Sequence, residues 1–344
     1  MTTDQVTVAI LGAGSWGTTF AKVLADAAAF REEDITIRLW ARRDEVVDDI
    51  NTNHTNSEYL DDIVLPDCIT ASNDAAKVVR GAELVVVAVP AQQARTTLHQ
   101  VADAIGERAI LVSLIKGLEQ STQATMSKVF AQELNLPSEQ FVVVSGPNLA
   151  KEIARQEPTA TVVACEHENT AEWVAAMTAS EYFRPYRNTD IPGVELGGVV
   201  KNIIALAVGL TDGRGFGDNS KASIITRGLT ETTRLATALG ANPDTLAGLA
   251  GLGDLVATCA SPLSRNRTAG KLYGQGHTTE EVISQMRQTA EGVKSVPAVV
   301  TLAHSVNVEM PIAEAVNAIV AGTIEIHDIA SLLLGRDLKP EARL

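Results

Sequence analysis

Two charges stand alone in apolar surroundings. Lys201 lies in "GGVVKNIIALAVGL" (197–210), and from Leu196 to Leu210 the only polar side chains are Lys201 and its neighbour Asn202. Asp254 is the single charge of "LAGLAGLGDLVATCA" (246–260), where Gly248, Gly251 and Gly253 let backbone come close to something. At helical spacing Lys201 shares a face with Gly197, Gly198, Ile204, Ala205 and Val208. A helix apolar all round belongs in an interior, and burial of an ammonium without a partner disfavours its charged form. Tuned in this way at a cleft, a lysine donates or accepts a proton. One isolated cation and one isolated anion suggest a meeting in one site. The alternatives are a purely structural ion pair and a lysine that snorkels to the surface.

Other residues offer anion-binding chemistry. Lys116 follows the strand-like "AILVSLI" and precedes Gly117, and ligands bind at the carboxyl ends of parallel strands. In "SRNR" (264–267), Ser264 suits a helix N-cap. Arg265 and Asn266 beside that helix start form a phosphate cradle, or else a cap with a solvated arginine. "VTVAILGAGSWGTTFAKVLA" sets Gly12, Gly14 and Gly17 in GxGxxG spacing after a strand and at the opening of a helix. Gly12 permits the tight turn, Gly14 the approach of a pyrophosphate, and Gly17 close helix–strand packing. The next strand ends "LWARRDE", with Ala41 where an NAD site usually carries an acid, then Arg42 and Arg43. Two guanidiniums suit the 2′-phosphate of NADP(H), with NAD(H) still usable; a solvated basic pair is the alternative.

The elements that must position these residues fall into two textures. Val/Ile-rich runs at 6–12, 35–41, 83–90, 109–115 and 141–146 read as strands of a parallel sheet buried on both faces, and 158–165 as an edge or antiparallel addition. Helical stretches lie near 15–29, 93–105 and 121–134. After "NTDIPG" (188–193) strand-like runs cease, and helix-period segments follow at about 194–211, 220–239, 279–288, 293–305 and 312–322. The fold expected is α/β plus all-α: a doubly wound, Rossmann-type parallel sheet over 1–190, then a helical substrate-binding and catalytic domain over 191–344.

Bulk composition narrows the function. Of 344 residues, 45% are hydrophobic and 20% charged, as in a globular chain. The formal net charge of -14 argues against nucleic-acid binding and against attraction to anionic lipid. Cys68, Cys165 and Cys259 give neither a CxxC pair nor a disulfide framework, and the six histidines lack zinc-site spacing, so no metal is expected. Without a signal-peptide pattern or a charge-free run long enough to span a bilayer, the expected location is cytoplasmic, with no membrane insertion.

Together these pieces resemble the bacterial NAD(P)-dependent glycerol-3-phosphate dehydrogenases. "GAGSWGT", "VPAQ", "IKGLE", "SGPNLAKEI", "VELGGVVKNIIALAVGLTDGRGFGDNSKASIITRGLTE", "LAGLGDLVATC", "SRNRTAGK" and "EGVKSV" run in family order from residue 12 to about 296. The resemblance implies reduction of dihydroxyacetone phosphate to sn-glycerol 3-phosphate for phospholipid synthesis. It implies proton transfer by Lys201, contact with substrate and cofactor by Lys116, and a substrate-site role for Asp254. Ser264, Arg265 and Asn266 would grip the substrate, with Arg265 also near the cofactor, and Gly146 and Asn148 fall on substrate-loop positions. Ser15, Trp16, Arg42, Arg43, Ala150, Thr289 and Glu291 fall on cofactor positions. Asn148-Leu149 and Thr289 depart from the residues the family often carries there. A homodimer is also expected. A related β-hydroxyacid or sugar-acid dehydrogenase and a non-catalytic NAD(P)H sensor are the rival readings; "SRN" and "GLGDLVATC" weigh against the first, the isolated Lys201 and Asp254 against the second.

Overall fold

The structure, a computed structural model, describes residues 5–286 and 290–324. It separates into two compact units. One comprises the described residues up to Ile115 and Met126–Ile191; the other comprises Lys116–Thr125 and the described residues from Pro192 onward. The sequence boundary at 190/191 therefore misses an excursion: ten residues after the fifth strand leave the sheet unit and join the helical one. The helical stretch expected over 121–134 accordingly begins only at Met126.

The first unit is built on an eight-stranded sheet. Its strands are β1 (Val6–Leu11), β2 (Ile35–Trp40), β3 (Ile69–Ser72), β4 (Leu84–Val87), β5 (Ile110–Ser113), β6 (Phe141–Ser145), β7 (Thr159–Ala164) and β8 (Phe183–Asn188). The order is β3-β2-β1-β4-β5-β6-β7-β8. Only β6 and β7 pair antiparallel; every other neighbouring pair is parallel. Val8, Ile10, Leu84, Val86, Val112, Val142 and Val144 are fully or almost fully buried, which is why these strands read as continuous apolar runs. β3 ("ITAS") and β8 ("FRPYRN") escaped the sequence reading. Each lies at an edge of the sheet, where polar residues are tolerated and the apolar signal is lost. The main helices here are α1 (Ser15–Phe30), α2 (Ala91–Val101), α3 (Met126–Leu134) and α4 (Glu168–Thr178).

The second unit is helical: α5 (Ile191–Gly213), α6 (Asp218–Ala238), α7 (Asp254–Ala260), α8 (Arg265–Gly274), α9 (Thr279–Gln285), α10 (Glu291–Ser305) and α11 (Pro311–Val320). α5 is long and apolar enough to cross a bilayer, yet its apolar window is wholly buried in the protein. Val199, Val200, Ile203, Ile204, Leu206, Val208 and Leu210 all enter the core, each stabilising the unit by roughly 1.5–3 kcal/mol. Small residues let α8 lie directly on α5. A β-carbon at Gly209 would stand 2.1 Å from the Arg267 carbonyl oxygen, and one at Gly270 2.1 Å from that of Leu206. This close crossing fixes the start of α8 relative to α5.

Glu231, in α6, is another buried acid that the sequence reading passed over. It is 2% exposed, and its carboxylate accepts the N–H groups of Ile312 (2.9 Å) and Ala313 (3.4 Å) at the start of α11. Burial pushes its pKa up to about 7, against the pull of those N–H groups and of Arg234, while Glu314 adds to the rise. The folded state therefore holds a proton that the unfolded chain releases near its ordinary value of 4.5. The associated stability is complete below that value and is lost as pH rises through about 7. Glu231→Gln should melt a few °C above the wild type at pH 8, with the gap closing by pH 4.5; parallel melting curves across that range would contradict this.

Candidate active site in the helical unit

The lone lysine of α5 does not reach for solvent. Lys201 is 8% exposed and Asp254, at the start of α7, is 1% exposed; Lys201 Nζ lies 2.6 Å from Asp254 Oδ1. The same ammonium donates to Thr258 Oγ1 at 2.7 Å, one turn along α7. The other carboxylate oxygen is also taken: Lys116 Nζ stands 2.7 Å from Asp254 Oδ2. One buried carboxylate thus holds two ammonium groups, and the trio carries one net positive charge when both lysines are protonated. Burial lowers Lys116 to about 8; the nearby Lys201 ammonium pushes the same way and Asp254 opposes both. Thr258 had no signal in the sequence beyond its place one helical turn after Asp254.

A chain of carboxamides holds this arrangement. The Asn202 side chain donates to the Lys116 carbonyl oxygen at 3.2 Å. Its own oxygen accepts from the Asn266 amide at 2.8 Å, and the Asn266 oxygen accepts the Gly292 N–H at 2.9 Å. Lys116, α5, α8 and the start of α10 are linked by three bonds. The Asn266 carboxamide therefore ties three elements together, a role that the sequence reading did not give it. Ser264 takes the N-cap position expected of it. Capping α8, it accepts the Arg267 N–H at 3.2 Å and is 4% exposed.

Arg265 opens α8. It is exposed, yet the surrounding protein still lowers its pKa, with the Glu291 carboxylate opposing. Glu291 opens α10; burial raises it, Arg265 and Lys294 hold it down, and its buried Oε2 has no hydrogen-bond partner among the described residues. A guanidinium at a helix start, accessible but crowded, is suited to a phosphate. Thr289 lies outside the described residues.

In the sheet unit the glycine-rich turn fits a dinucleotide. Gly12 has φ +118°, and a β-carbon there would meet the Ala88 carbonyl oxygen at 2.8 Å; at Gly17 it would meet the Gly12 oxygen at 2.0 Å. Gly14 faces open space, with no atom within 4 Å of a β-carbon built there. As N-cap of α1 it offers no side chain to the helix's first N–H groups, which leaves them to a phosphate. The buried Trp16 Nε1 has no partner, and the Ser15 hydroxyl lies 3.4 Å from the Tyr59 carbonyl oxygen. Gly146, at φ +142°, lies between Ser145 and the Asn148 turn, where Asn148 donates to Thr161 Oγ1 at 3.0 Å and leaves its own oxygen buried and unbonded. The Ala150 carbonyl accepts the Thr19 hydroxyl at 3.2 Å. At the end of β2 both arginines are exposed, but Arg43 is paired with Glu58.

The carboxamide chain makes a prediction. Asn266→Ala strands the Gly292 N–H and the Asn202 oxygen, each at a cost of about 1–3 kcal/mol. Melting should fall by several °C in the absence of any ligand; an unchanged Tm would leave Asn266 only a ligand contact.

Comparison with known proteins gives the family. Residues 7–171 match the family described as NAD-dependent glycerol-3-phosphate dehydrogenase N-terminus, and residues 190–331 its C-terminus. The chain is 53% identical over 334 residues to glycerol-3-phosphate dehydrogenase [NAD(P)+] of Thermobifida fusca, covering 97% of this chain and 98% of the relative. It is 51% identical to that of Streptomyces griseus over 99% of this chain and 100% of the relative. Among solved structures it is similar to glycerol-3-phosphate dehydrogenase from Coxiella burnetii, with a TM-score of 0.90 and 35% identity over 96% of this chain and 99% of that one. The chain belongs to the family of NAD(P)-dependent glycerol-3-phosphate dehydrogenases.

Proposed function

We propose that Lys201 is the proton donor when this enzyme reduces dihydroxyacetone phosphate to sn-glycerol 3-phosphate. The observation that carries the proposal is the pair of ammonium groups held on one buried carboxylate. Bound NAD(P)H supplies the hydride to the C2 carbonyl carbon. As negative charge grows on the carbonyl oxygen, an ammonium aimed at it stabilises the charge and then gives up its proton. Asp254 keeps Lys201 and Lys116 fixed, so neither must reorganise during the reaction, and Lys116 adds a second positive charge at the same place. In the reverse direction neutral Lys201 takes the alcohol proton.

Arg265 and the N-terminus of α8 are the proposed phosphate grip, aided by Ser264 and Asn266; Gly146 and Asn148 are proposed as substrate-loop positions. Binding of the remote phosphate then orients the reacting carbonyl. For the cofactor, Gly12, Gly14, Ser15, Trp16 and Gly17 would hold the pyrophosphate, and Arg42 and Arg43 the 2′-phosphate of NADP(H). Residues 1–190 and 191–344 are proposed as the cofactor and substrate domains, with 116–125 assigned to the latter. Supply of glycerol 3-phosphate to phospholipid synthesis, a cytoplasmic location and a homodimer complete the reading.

Two measurements test the site. Lys201→Met leaves Asp254 paired with Lys116, so the fold should survive and nicotinamide binding, read by fluorescence, should be unchanged. Turnover should drop at least about a hundredfold; near-normal turnover would remove Lys201 from the chemistry. The pH profile supplies the second. With Lys116 titrating near 8 as part of a coupled trio, kcat/KM for ketone reduction should be level below about pH 8 and fall above it as the trio loses a proton. Alcohol oxidation should rise over the same range. A profile still level at pH 9.5 would contradict the assignment.

A further inference from the structure

The chemistry above makes no use of the loop that follows β2, yet this loop is unusually well tied. Asp49 accepts hydrogen bonds from Asn53 Nδ2 (3.0 Å), Thr55 Oγ1 (2.8 Å), and the Ser57 N–H and hydroxyl (both 2.9 Å). Burial acts to raise Asp49, but these donors prevail and bring it to about 2. Asn56, 1% exposed, donates to the Ala13 carbonyl oxygen at 2.9 Å and to Thr18 Oγ1 at 2.8 Å, which fastens the loop to the glycine-rich turn. The Tyr59 carbonyl accepts the Ser15 hydroxyl. Glu58 thus sits between anchors on both sides. Its carboxylate is hydrogen-bonded to the Arg43 guanidinium, with the Tyr59 hydroxyl 3.4 Å from the same nitrogen. Glu45 adds to the negative field at Arg43.

We infer that Glu58 is a specificity-determining residue for the cofactor: its carboxylate occupies the Arg43 guanidinium and so lowers the preference for NADP(H) over NAD(H). The inference rests on the reading that Arg43 receives the 2′-phosphate. A phosphate monoester and a carboxylate compete for the same planar fork of N–H donors, and two anions beside one cation repel each other. A ribose 2′-hydroxyl is neutral, meets no such repulsion, and can donate to a carboxylate. Ala41 leaves the end of β2 without the acid that usually performs this task; Glu58 brings one to the neighbouring arginine from a different segment. The backbone that carries Glu58 is tied to the turn by Asn56 and internally by Asp49, and the half-exposed Glu58 side chain is paired with Arg43.

The test uses fragments that isolate the phosphate. Adenosine 2′,5′-bisphosphate and adenosine 5′-monophosphate are titrated calorimetrically into the full-length wild type, Glu58→Gln and Arg43→Ala. Glu58→Gln should tighten the bisphosphate about twofold to fivefold, the range expected for release of a half-exposed ion pair, and leave the monophosphate unchanged. The ratio of NADPH to NADH dissociation constants should move the same way. Arg43→Ala should weaken the bisphosphate selectively. If Arg43→Ala affects both fragments equally, the 2′-phosphate reading itself fails, and the inference with it. If Arg43→Ala is selective but Glu58→Gln leaves the ratio unchanged or weakens the bisphosphate, the inference alone is overturned.

Discussion

A single carboxylate shared by two ammonium groups is the constraint around which the helical unit is arranged. Ion pairs buried this deeply seldom stabilise a protein beyond what apolar side chains of similar size would do, because each charge must first be stripped of water. Asp254 nevertheless lies 1% exposed between Lys201 and Lys116. The arrangement has a chemical use. It concentrates one net positive charge inside a chain whose formal net charge is -14, and it fixes that charge in place. An anionic substrate whose reaction builds further negative charge needs such a spot, and the bulk of the protein does not supply it.

Holding two lysines on one aspartate requires three stretches of chain to meet. α5 brings Lys201, α7 brings Asp254 with Thr258, and the 116–125 excursion brings Lys116. The Asn202 and Asn266 carboxamides tie the last of these to α5 and α8. The glycines at the α5–α8 crossing permit backbone distances that any larger side chain would forbid. The sheet unit uses the same strategy with other residues: Asn56 clamps the glycine-rich turn through Ala13 and Thr18. In both units a buried carboxamide fixes backbone at the proposed site: Asn202 through the Lys116 carbonyl and Asn56 through that of Ala13.

Much of this was legible in the sequence because the strongest signals there are physical exclusions. The central strands show as Val/Ile runs, since residues buried on both faces cannot be polar. Lys201 and Asp254 stood out because isolated charges in apolar helices demand a reason. The edge strands β3 and β8 were not legible, since their exposure lets Arg, Asn and Ser replace apolar residues. The route of 116–125 was not legible either; nothing in "KGLEQSTQAT" distinguishes a connection within the sheet unit from an excursion out of it. Asn202, Asn266, Thr258, Asn56 and Glu58 act through partners distant in sequence: Asn202 bonds Lys116, Asn266 bonds Asn202 and Gly292, Thr258 bonds Lys201, Asn56 bonds Thr18, and Glu58 bonds Arg43, 15 residues before it. Pairings of that kind are set by the fold, and neither composition nor spacing announces them.

The shared carboxylate can be observed directly. With lysine side-chain nitrogens labelled with 15N, the Lys116 resonance should titrate near 8 in the wild type. In Asp254→Asn it should titrate lower still, because loss of the anion disfavours a buried ammonium. The Lys201 resonance should shift in the same variant. A Lys116 that titrates at its ordinary value of 10.5 and is indifferent to Asp254→Asn would contradict the shared site on which this account depends.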